Sequence, residues 1–417
     1  MKARRARLVL ALGAAVVLGA ALMLGACAPE GGKGGNGGKG DPAGFLARHW
    51  ADPLPAQGPV PAGFSALEAS LAPQACGQCH PAQWQQWQAS LHARAVGPGL
   101  LWQLHVMDQA EANRCLRCHA PLAEQKALLA QAMAWPARPA AAAPAYVPDD
   151  LALQGLVCAA CHVRGHRRVG PLPRAAGAAA SSAHGGFVAT LAFSDSRFCA
   201  HCHQFPDDGP RTAGKLNEDT YEQWKASPFG GKRSCQDCHM PERRHQWRGI
   251  HDPETTRSAI DVVLQLRPAG ARRFVAEAVV RNVGAGHHFP TYMVPKVELQ
   301  FARVARDGSR AALGTQVIGW SVDTDLRHET ADTRIPAGAS RRFELGFEAP
   351  ATALDWELEL RVVVRPDEHY ERTFAQSLAQ APRLPPAALA PLRAALAHAR
   401  STPYELLRLR QAPRIAN

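Results

Sequence analysis

The pentapeptide CGQCH, at Cys76–His80, is the first of five Cys-x-x-Cys-His motifs in this chain. The other four are CLRCH (Cys115–His119), CAACH (Cys158–His162), CAHCH (Cys199–His203) and CQDCH (Cys235–His239). Two thiols at this spacing can form thioether bonds to the two vinyl groups of one haem, and the adjacent histidine can bind its iron. With 11 cysteines in 417 residues, chance does not produce five copies. The motifs predict five covalently bound haem c groups.

The predicted site residues divide into two sets. The haem attachment residues are Cys76, Cys79, Cys115, Cys118, Cys158, Cys161, Cys199, Cys202, Cys235 and Cys238, and the proximal iron ligands are His80, His119, His162, His203 and His239. Zinc and disulfides are the alternatives. Zinc needs paired knuckles that share four ligands, and a disulfide has no use for the histidine that follows every second cysteine. Both alternatives explain the pattern less well than haem.

The eleventh cysteine predicts the cellular location. A basic stretch from Lys2 to Arg7 precedes an apolar run from Leu8 to Leu24, as in a secretory signal peptide. The sequence Leu-Gly-Ala-Cys, which ends at Cys27, resembles the lipobox of bacterial lipoproteins, in which the cysteine is acylated. By the same resemblance, Ala28 in place of aspartate favours the outer membrane. An uncleaved transmembrane anchor is the alternative, although the run is at the short limit for spanning a bilayer. Both interpretations predict export, and the first predicts lipidation of Cys27 and a site on the periplasmic side of the outer membrane or the cell surface.

Composition and the local pattern of apolar residues divide the chain into five segments. They are a lipoprotein signal peptide (1–26), a lipidated cysteine with a glycine-rich tether (27–45), a pentahaem cytochrome c domain (46–255), a small β-sandwich domain (256–378) and a C-terminal helical tail (379–417). The tether has almost no side chains to pack. The formal charge of +11 falls to +7 once the four cations of the signal peptide are removed, and ten haem propionates would offset the rest. The basic composition therefore does not indicate nucleic-acid binding.

The two halves differ in their patterns. In the first half the motifs recur every 36 to 43 residues, and the pentapeptides QWQAS (86–90) and QWKAS (223–227) repeat each other. Short helices and irregular loops with few apolar residues predict a mostly helical or irregular domain whose core is supplied by the haems. The second half has alternating segments at 260–266, 274–280, 297–301, 343–347 and 358–364, which predict strands. Residues 387–410 are predicted to be helical and interrupted at Pro403.

The sequences around the motifs resemble the multihaem cytochrome c family that includes cytochrome c-554. The matching stretches include CGQCHPAQWQQWQASLHARA (76–95), FCAHCHQF (198–205) and CQDCHMP (235–241), within about residues 75–252. In the second half, NVGAGHHFPT (282–291) is similar to the GAGHxFPT segment of β-domains fused to such cytochromes. The resemblance implies haems held within electron-tunnelling contact. Cytochrome c-554 carries four haems, so the fifth motif and the β-domain depart from its pattern.

Five distal histidines are predicted, namely His92, His184, His245, His251 and His287. The family resemblance implies His92 and His184 as distal ligands and favours His287 over His288, and neighbours on an extended backbone face opposite sides. His245 and His251 are assigned because they follow the last motif. His105 and Met107, before the second motif, could bind iron or belong to the core. Without them the second haem would be five-coordinate.

Two functions follow from the coordination. Haems with two histidine ligands have no open position and only pass electrons, whereas an open haem can act on a small molecule. The sequence favours a membrane-tethered electron carrier between redox partner proteins, without a catalytic residue. The alternatives are an oxidoreductase for a small nitrogen or sulfur compound, and a β-domain that docks the cytochrome into a larger conduit.

Overall fold

The structure of the protein is a computed structural model that describes residues 41–173, 186–349 and 355–413. Cys27 and His184 lie outside these residues, as do the signal peptide and the predicted tether as far as residue 40. The described residues belong to one compact unit that begins at Gly37. The first helix begins at Pro42, because both carboxylate oxygens of Asp41 accept hydrogen bonds from backbone N–H groups at the helix start. The last residues of the predicted tether are therefore helical.

Helices dominate the first half and return at the C-terminus. The helices of the described residues are α1 (Pro42–His49), α2 (Ala66–Ala69), α3 (Pro73–Gly77), α4 (Pro81–Gln88), α5 (Pro98–Leu104), α6 (Gln109–His119), α7 (Ala123–Ala132), α8 (Cys158–His162), α9 (Arg197–His203), α10 (Thr220–Lys225), α11 (Cys235–His239), α12 (Pro253–Ala259), α13 (Glu368–Ala379) and α14 (Pro386–Ser401). Most helices of the first half are short and are joined by irregular loops. This part agrees with the predicted helical and irregular domain.

The strands lie mainly in the second half. They are β1 (Val163–Arg164), β2 (Arg167–Gly170), β3 (Phe187–Ala189), β4 (Arg211–Thr212), β5 (Lys215–Leu216), β6 (Ile260–Pro268), β7 (Arg273–Asn282), β8 (Lys296–Ala305), β9 (Arg310–Ile318), β10 (Trp320–Val322), β11 (Glu329–Asp332), β12 (Ser340–Glu348), β13 (Trp356–Arg365) and β14 (Tyr404–Gln411). The five predicted strands are confirmed as β6, β7, β8, β12 and β13. The predicted β-rich second half is therefore confirmed.

Two antiparallel sheets build the second half, with strand orders β12-β7-β6 and β14-β13-β8-β9. Alternate residues of both sheets enter one apolar core, for example Val280 of β7, Phe301 of β8 and Leu360 of β13, each at most 1 % exposed. Period-two alternation gives each sheet one buried face. The shared core is what a sandwich requires, and the facing of the two sheets stays a prediction.

The predicted helical tail is wrong over its last third. The helix α14 ends at Ser401, and residues 404–411 form β14 beside β13. Pro403 stops the helix because it lacks an N–H group. The sequence YELLRLRQ that follows alternates in burial along the strand, so it gains more as the edge strand of a sheet than as a helix.

The C-terminal helices pack against the first half of the chain. Trp102 of α5 shares an apolar cluster with Phe374 of α13 and Leu392 of α14. The chain therefore returns from the second half to the first before it adds its last strand. Among the described residues, no helix combines the length and the apolar character needed to cross a bilayer.

Candidate functional site

All five motifs line one continuous cavity of about 3300 Å³. Its lining includes the ten motif cysteines and the five histidines that end the motifs. A pocket for a single drug-sized ligand has about 300–1,000 Å³. One fifth of this cavity is about 660 Å³, which leaves each motif room for one large group. The predicted attachment and proximal residues are thus brought together around a single space.

Each motif lies on or beside a short helix. The second to fifth motifs end the helices α6, α8, α9 and α11, and the first begins in the last turn of α3 and ends just before α4. Residues three apart on a helix share a face, so the two cysteines of a helical motif point to the same side. Two of these helices begin with capping boxes. Asp108 accepts a hydrogen bond from the Glu111 N–H at 2.8 Å, and Ser234 accepts one from the Asp237 N–H at 3.2 Å.

Five cavity histidines are held by a backbone carbonyl at Nδ1. The contacts are His119 to Ala95 (2.7 Å), His162 to Val169 (2.9 Å), His239 to Arg248 (2.8 Å), His245 to Arg243 (2.9 Å) and His287 to His288 (2.8 Å). An imidazole that donates through Nδ1 keeps the lone pair of Nε2 free. Metal-binding histidines are oriented in this way by a second partner. The set includes three proximal and two distal residues of the sequence prediction.

Three pairs of imidazole rings lie at nearly the same separation. The ring centroids are 6.2 Å apart for His162 and His245, 6.4 Å for His92 and His203, and 6.3 Å for His239 and His287. One iron between two imidazole nitrogens, at about 2.0 Å from each, would separate the ring centroids by about 6 Å. The three distances therefore fit three irons, each between one proximal and one distal histidine.

The loop that carries His287 is fixed from two sides. Asn282, which is fully buried, donates hydrogen bonds to the carbonyls of His287 (2.8 Å) and Ile335 (3.1 Å). From the first half, Gln223 accepts hydrogen bonds from the His288 N–H (3.1 Å) and the Thr291 hydroxyl (2.9 Å). The backbone passes so close to the first half that a Cβ at position 286 would lie 3.3 Å from Trp224. The second half thus presents His287 to the fifth motif in a defined position.

His92 and His245 share an aromatic neighbour, Trp247. The Trp247 ring lies 4.5 Å from the His92 ring and 5.1 Å from the His245 ring, both edge to face. The carbonyl of His92 accepts a hydrogen bond from the Leu156 N–H at 2.8 Å, just before the third motif. The N–H of His245 donates to Gln86 at 2.8 Å. These contacts tie both histidines to the segments around the first and third motifs.

The two repeated segments, QWQAS and QWKAS, make the same two kinds of hydrogen bond. The serine hydroxyl donates to the carbonyl of the tryptophan three residues earlier, at 2.6 Å for Ser90 and 2.7 Å for Ser227. The indole N–H donates to a backbone carbonyl, Leu156 for Trp87 and Arg233 for Trp224, at 2.8 Å in both cases. Each repeat thus fixes the chain close to a motif, the third in one case and the fifth in the other.

Comparisons with known proteins agree with this geometry. The family described as cytochrome c554 and c-prime matches residues 75–138. The fold is similar to that of a penta-heme cytochrome c552 from Thermochromatium tepidum, with a TM-score of 0.54 and 18 % identity over 82 % of this chain and 99 % of the other. Together, the family match over residues 75–138 and the likeness of fold support a multihaem cytochrome c family. At this identity the solved structure shows the likeness of fold, and the family match adds the motifs.

Other similarities are weak. A β-glucosidase from Kluyveromyces marxianus has a TM-score of 0.16 at 10 % identity, over 26 % of this chain and 12 % of the other. The sporulation control protein Spo0M from Bacillus subtilis has a TM-score of 0.14 at 11 % identity, over 25 % and 42 %. Neither bears on the cytochrome. No curated protein matches the chain at the threshold of the comparison.

The family and the fold support covalently bound haem c, and the residues present fit it. The motif cysteines form no disulfides within the described residues. Nor do three or more cysteine, histidine or carboxylate side chains of the described ranges come together around one point, as a shared zinc site would need. Burial lowers the pKa of His92 to about 3 and those of His162 and His287 to about 4. These imidazoles are therefore neutral at pH 7, the form that binds a metal.

Cysteines of different motifs contact one another in the cytochrome. The hydrogen-bonded pairs are Cys76 with Cys158, Cys118 with Cys202, and Cys199 with Cys235. Cys161 also acts electrostatically on Cys199 and Cys202. With haem attached, these sulfurs would be thioethers and would no longer donate hydrogen bonds. The motifs would still lie close together. The first motif therefore adjoins the third, the third adjoins the fourth, and the fourth also adjoins the second and the fifth.

The remaining sequence candidates lie elsewhere. His251 lines the cavity, but its Nε2 atom lies 3.1 Å from Asp367 rather than opposite a proximal histidine. Met107 lines the cavity and also packs into an apolar cluster of the first half, whereas His105 is outside the lining. Among the described residues, no imidazole pairs in this way with His80 or His119. His184, the predicted ligand between the third and fourth motifs, is outside the described residues.

Cavity residues that the sequence prediction missed include Trp247, Tyr292, Tyr370, His369 and His398. Tyr292 directly follows the GAGHHFPT segment, which was a usable signal. Tyr370 had none, because it reaches the cavity only through the packing of α13 against α5.

Proposed function

We propose that this chain is an exported, lipid-anchored pentahaem electron carrier that relays electrons between redox partner proteins on the periplasmic side of the outer membrane or at the cell surface. Its similarity to multihaem c-type cytochromes supports electron transfer in general. The observation that carries the proposal is the single cavity in which each of the five motifs adjoins at least one other. Electron tunnelling weakens steeply with distance, so adjoining haems form a continuous path.

We assign the motif cysteines to thioether bonds and the motif histidines to the proximal irons. Three irons then receive a second imidazole, from His245 at the third haem, His92 at the fourth and His287 at the fifth. The haems supply the one-electron chemistry. The chain orients five of these imidazoles through their Nδ1 contacts, and burial keeps His92, His162 and His287 neutral. A second imidazole ligand favours a low reduction potential compared with methionine.

His251 has a different part in this proposal, because its Nε2 atom is engaged by Asp367. For the first haem, the predicted ligand His184 is retained as the distal candidate. The lipid anchor rests on the Leu-Gly-Ala-Cys sequence at Cys27.

Mass spectrometry and membrane fractionation test this proposal. The mature protein should begin at an acylated Cys27 and exceed the mass of its chain by five haems. Cys27→Ser should release the cytochrome from the membrane fraction with its haem content unchanged. A holoprotein with fewer than five haems, or one without an acyl group at Cys27, contradicts the corresponding part. For the relay, we expect a redox titration in which the haems are reduced one after another and exchange electrons rapidly with one another.

A second candidate function is catalysis on a small nitrogen or sulfur compound at the second haem. It is favoured by one observation, which is that His119 has no imidazole opposite it among the described residues. Electron paramagnetic resonance (EPR) of the ferric holoprotein distinguishes the two candidates. One high-spin haem favours the second candidate, and a wholly low-spin spectrum excludes it.

A further inference from the structure

The surroundings of the second motif differ from those of the third, fourth and fifth. His162, His203 and His239 each have a second imidazole about 6 Å from their own, measured between ring centroids. His119 is anchored in the same way, through its contact with Ala95 at 2.7 Å, yet the described residues provide no such imidazole. Two tyrosines line this region of the cavity instead.

Tyr370 is brought to the second motif by helix packing. It lies one turn before Phe374 on α13, and the two rings stack at 5.6 Å. Phe374 packs edge to face on Trp102 of α5 at 6.0 Å, and α5 follows closely on Ala95, the residue that anchors His119. The proximity of Tyr370 to this motif is also seen in its electrostatic interaction with Cys115. Tyr370 is 41 % exposed and lines the cavity.

Tyr292 reaches the same place from the loop that carries His287. Its ring packs against the apolar cluster of Met293, Val294 and Trp320, and it interacts electrostatically with Tyr370. Neither the Tyr292 nor the Tyr370 hydroxyl has a hydrogen-bond partner among the described residues, although both side chains line the cavity. A phenol in protein surroundings normally has such a partner. Both hydroxyls are therefore free to donate a hydrogen bond to a group held in the cavity.

Both phenols keep their protons at neutral pH. Partial burial of the ring, together with the carboxylates of Asp367 and Glu218, raises the pKa of Tyr370 above its ordinary value. Burial also raises the pKa of Tyr292 well above its ordinary value. Protonated phenols act as hydrogen-bond donors. The same carboxylates would repel an anion, so the charges around the two tyrosines favour an uncharged acceptor.

A buried carboxylate adjoins the two donors. Asp367 is 9 % exposed, and its Oδ1 atom accepts a hydrogen bond from His251 Nε2 at 3.1 Å. Its Oδ2 atom is buried without a partner among the described residues. A buried carboxylate oxygen without a hydrogen-bond donor lowers the stability of the folded protein. The His251–Asp367 pair therefore provides polar contacts beside the tyrosines that packing alone does not require.

We propose that Tyr292 and Tyr370 form a binding site for a small uncharged ligand at the second motif, in which their hydroxyls donate hydrogen bonds to a molecule of two or three heavy atoms held opposite His119. The proposal rests on the proposed function, because it requires haem at this motif, and it gives the second candidate function its binding residues. Both tyrosines come from the C-terminal half, so the β-rich region would complete a site on the haem half.

Carbon monoxide binding to the reduced holoprotein tests the site without any measurement of turnover. We expect one high-spin ferric haem per chain by EPR and one equivalent of carbon monoxide bound after reduction. Tyr370→Phe and Tyr292→Phe should each move the C–O stretch to higher frequency and weaken binding by about two- to tenfold, as expected for the loss of one hydrogen bond. Tyr221→Phe is the matched control, since Tyr221 is outside the cavity lining, and it should change neither quantity.

Three results would overturn the proposal. The first is a wholly low-spin protein that binds no carbon monoxide, including one with the charge-transfer absorption of a methionine-ligated haem, which would place Met107 on the iron. The second is a phenolate-to-iron absorption that disappears in one of the phenylalanine variants, which would make that tyrosine a ligand. The third is a C–O stretch that moves equally in the control. In each case a full count of five reducible haems would leave the electron-transfer function intact, whereas a missing second haem would contradict that function.

Discussion

The two halves of this cytochrome are held together by different means. The second half has its own apolar core, in which residues such as Val280, Phe301 and Leu360 from two sheets are almost fully buried. The first half surrounds a cavity of about 3300 Å³ and has only smaller apolar clusters beside it. Haem groups would fill that cavity and supply the missing apolar mass. We therefore expect the second half to fold by its own apolar core and the first half to need its haems as well.

Expression without haem attachment is expected to have the largest effect. The first half should lose most of its structure because its cavity cannot remain open in water, while the sheets of the second half should persist. Amide hydrogen exchange followed by mass spectrometry would report the two halves separately. Equal protection of both halves in the haem-free chain would show that the first half does not need haem to fold.

Leu360→Ala acts on the second half. Leu360 is fully buried in the shared core, and the loss of such a side chain costs about 2–5 kcal/mol of unfolding free energy. We expect a lower Tm of the second half in near-ultraviolet circular dichroism, with the haem absorption spectrum unchanged. The exposed Val263→Ala on β6 is the control and should cost much less. A change in haem ligation in Leu360→Ala would mean that the two halves are less independent than their cores indicate.

His287→Ala tests the point where the halves meet. We expect one low-spin haem to become high-spin, because the fifth iron would lose its second imidazole, and the reduction potential of that haem to rise. His288→Ala, one residue away, should leave the spin state unchanged. EPR of the two variants decides between the neighbours, and the opposite result would transfer the assignment to His288.

An ion pair across the two halves should have the smallest effect. Lys215 in the first half contacts Glu329 and Asp332 in the second, both at 2.7 Å. Burial alone would raise the pKa of Asp332, but hydrogen bonds from Arg334 and Lys215 outweigh it and hold that pKa well below its usual range. Lys215 is 41 % exposed, so Lys215→Met should cost at most about 1 kcal/mol.

The pH dependence of that ion pair follows from the lowered pKa. The contribution of Asp332 is fully present above the unfolded pKa of about 4 and is lost as the pH falls towards the folded value. The difference in unfolding free energy between the wild type and Lys215→Met should therefore shrink as the pH falls from about 4 to about 2. Chemical denaturation at several pH values measures it. A difference that grows on acidification would contradict the assignment.

Local patterns predicted much of this molecule. The spacing of cysteine and histidine predicted covalent haem, and period-two alternation predicted five strands, because both are properties of a few consecutive residues. Residues 404–411 were predicted to be helical, since the alternation there is short and its meaning depends on β13, a partner about fifty residues earlier. Tyr370 and the pairing of His245 with His162 depend on packing between distant segments, which no local pattern records.

The contacts between motifs have a consequence for damage to the cytochrome. The fourth motif adjoins the second, the third and the fifth, and the first is reached only through the third. With a haem at every motif, the fourth haem would be the one that connects the largest number of others. Loss of the first, second or fifth haem would leave the other four in contact with one another through their neighbours. Loss of the fourth would divide the others into three groups without contact between them. Loss of the third haem would isolate only the first, so a single lesion at Cys199, Cys202, His203 or His92 would interrupt conduction most.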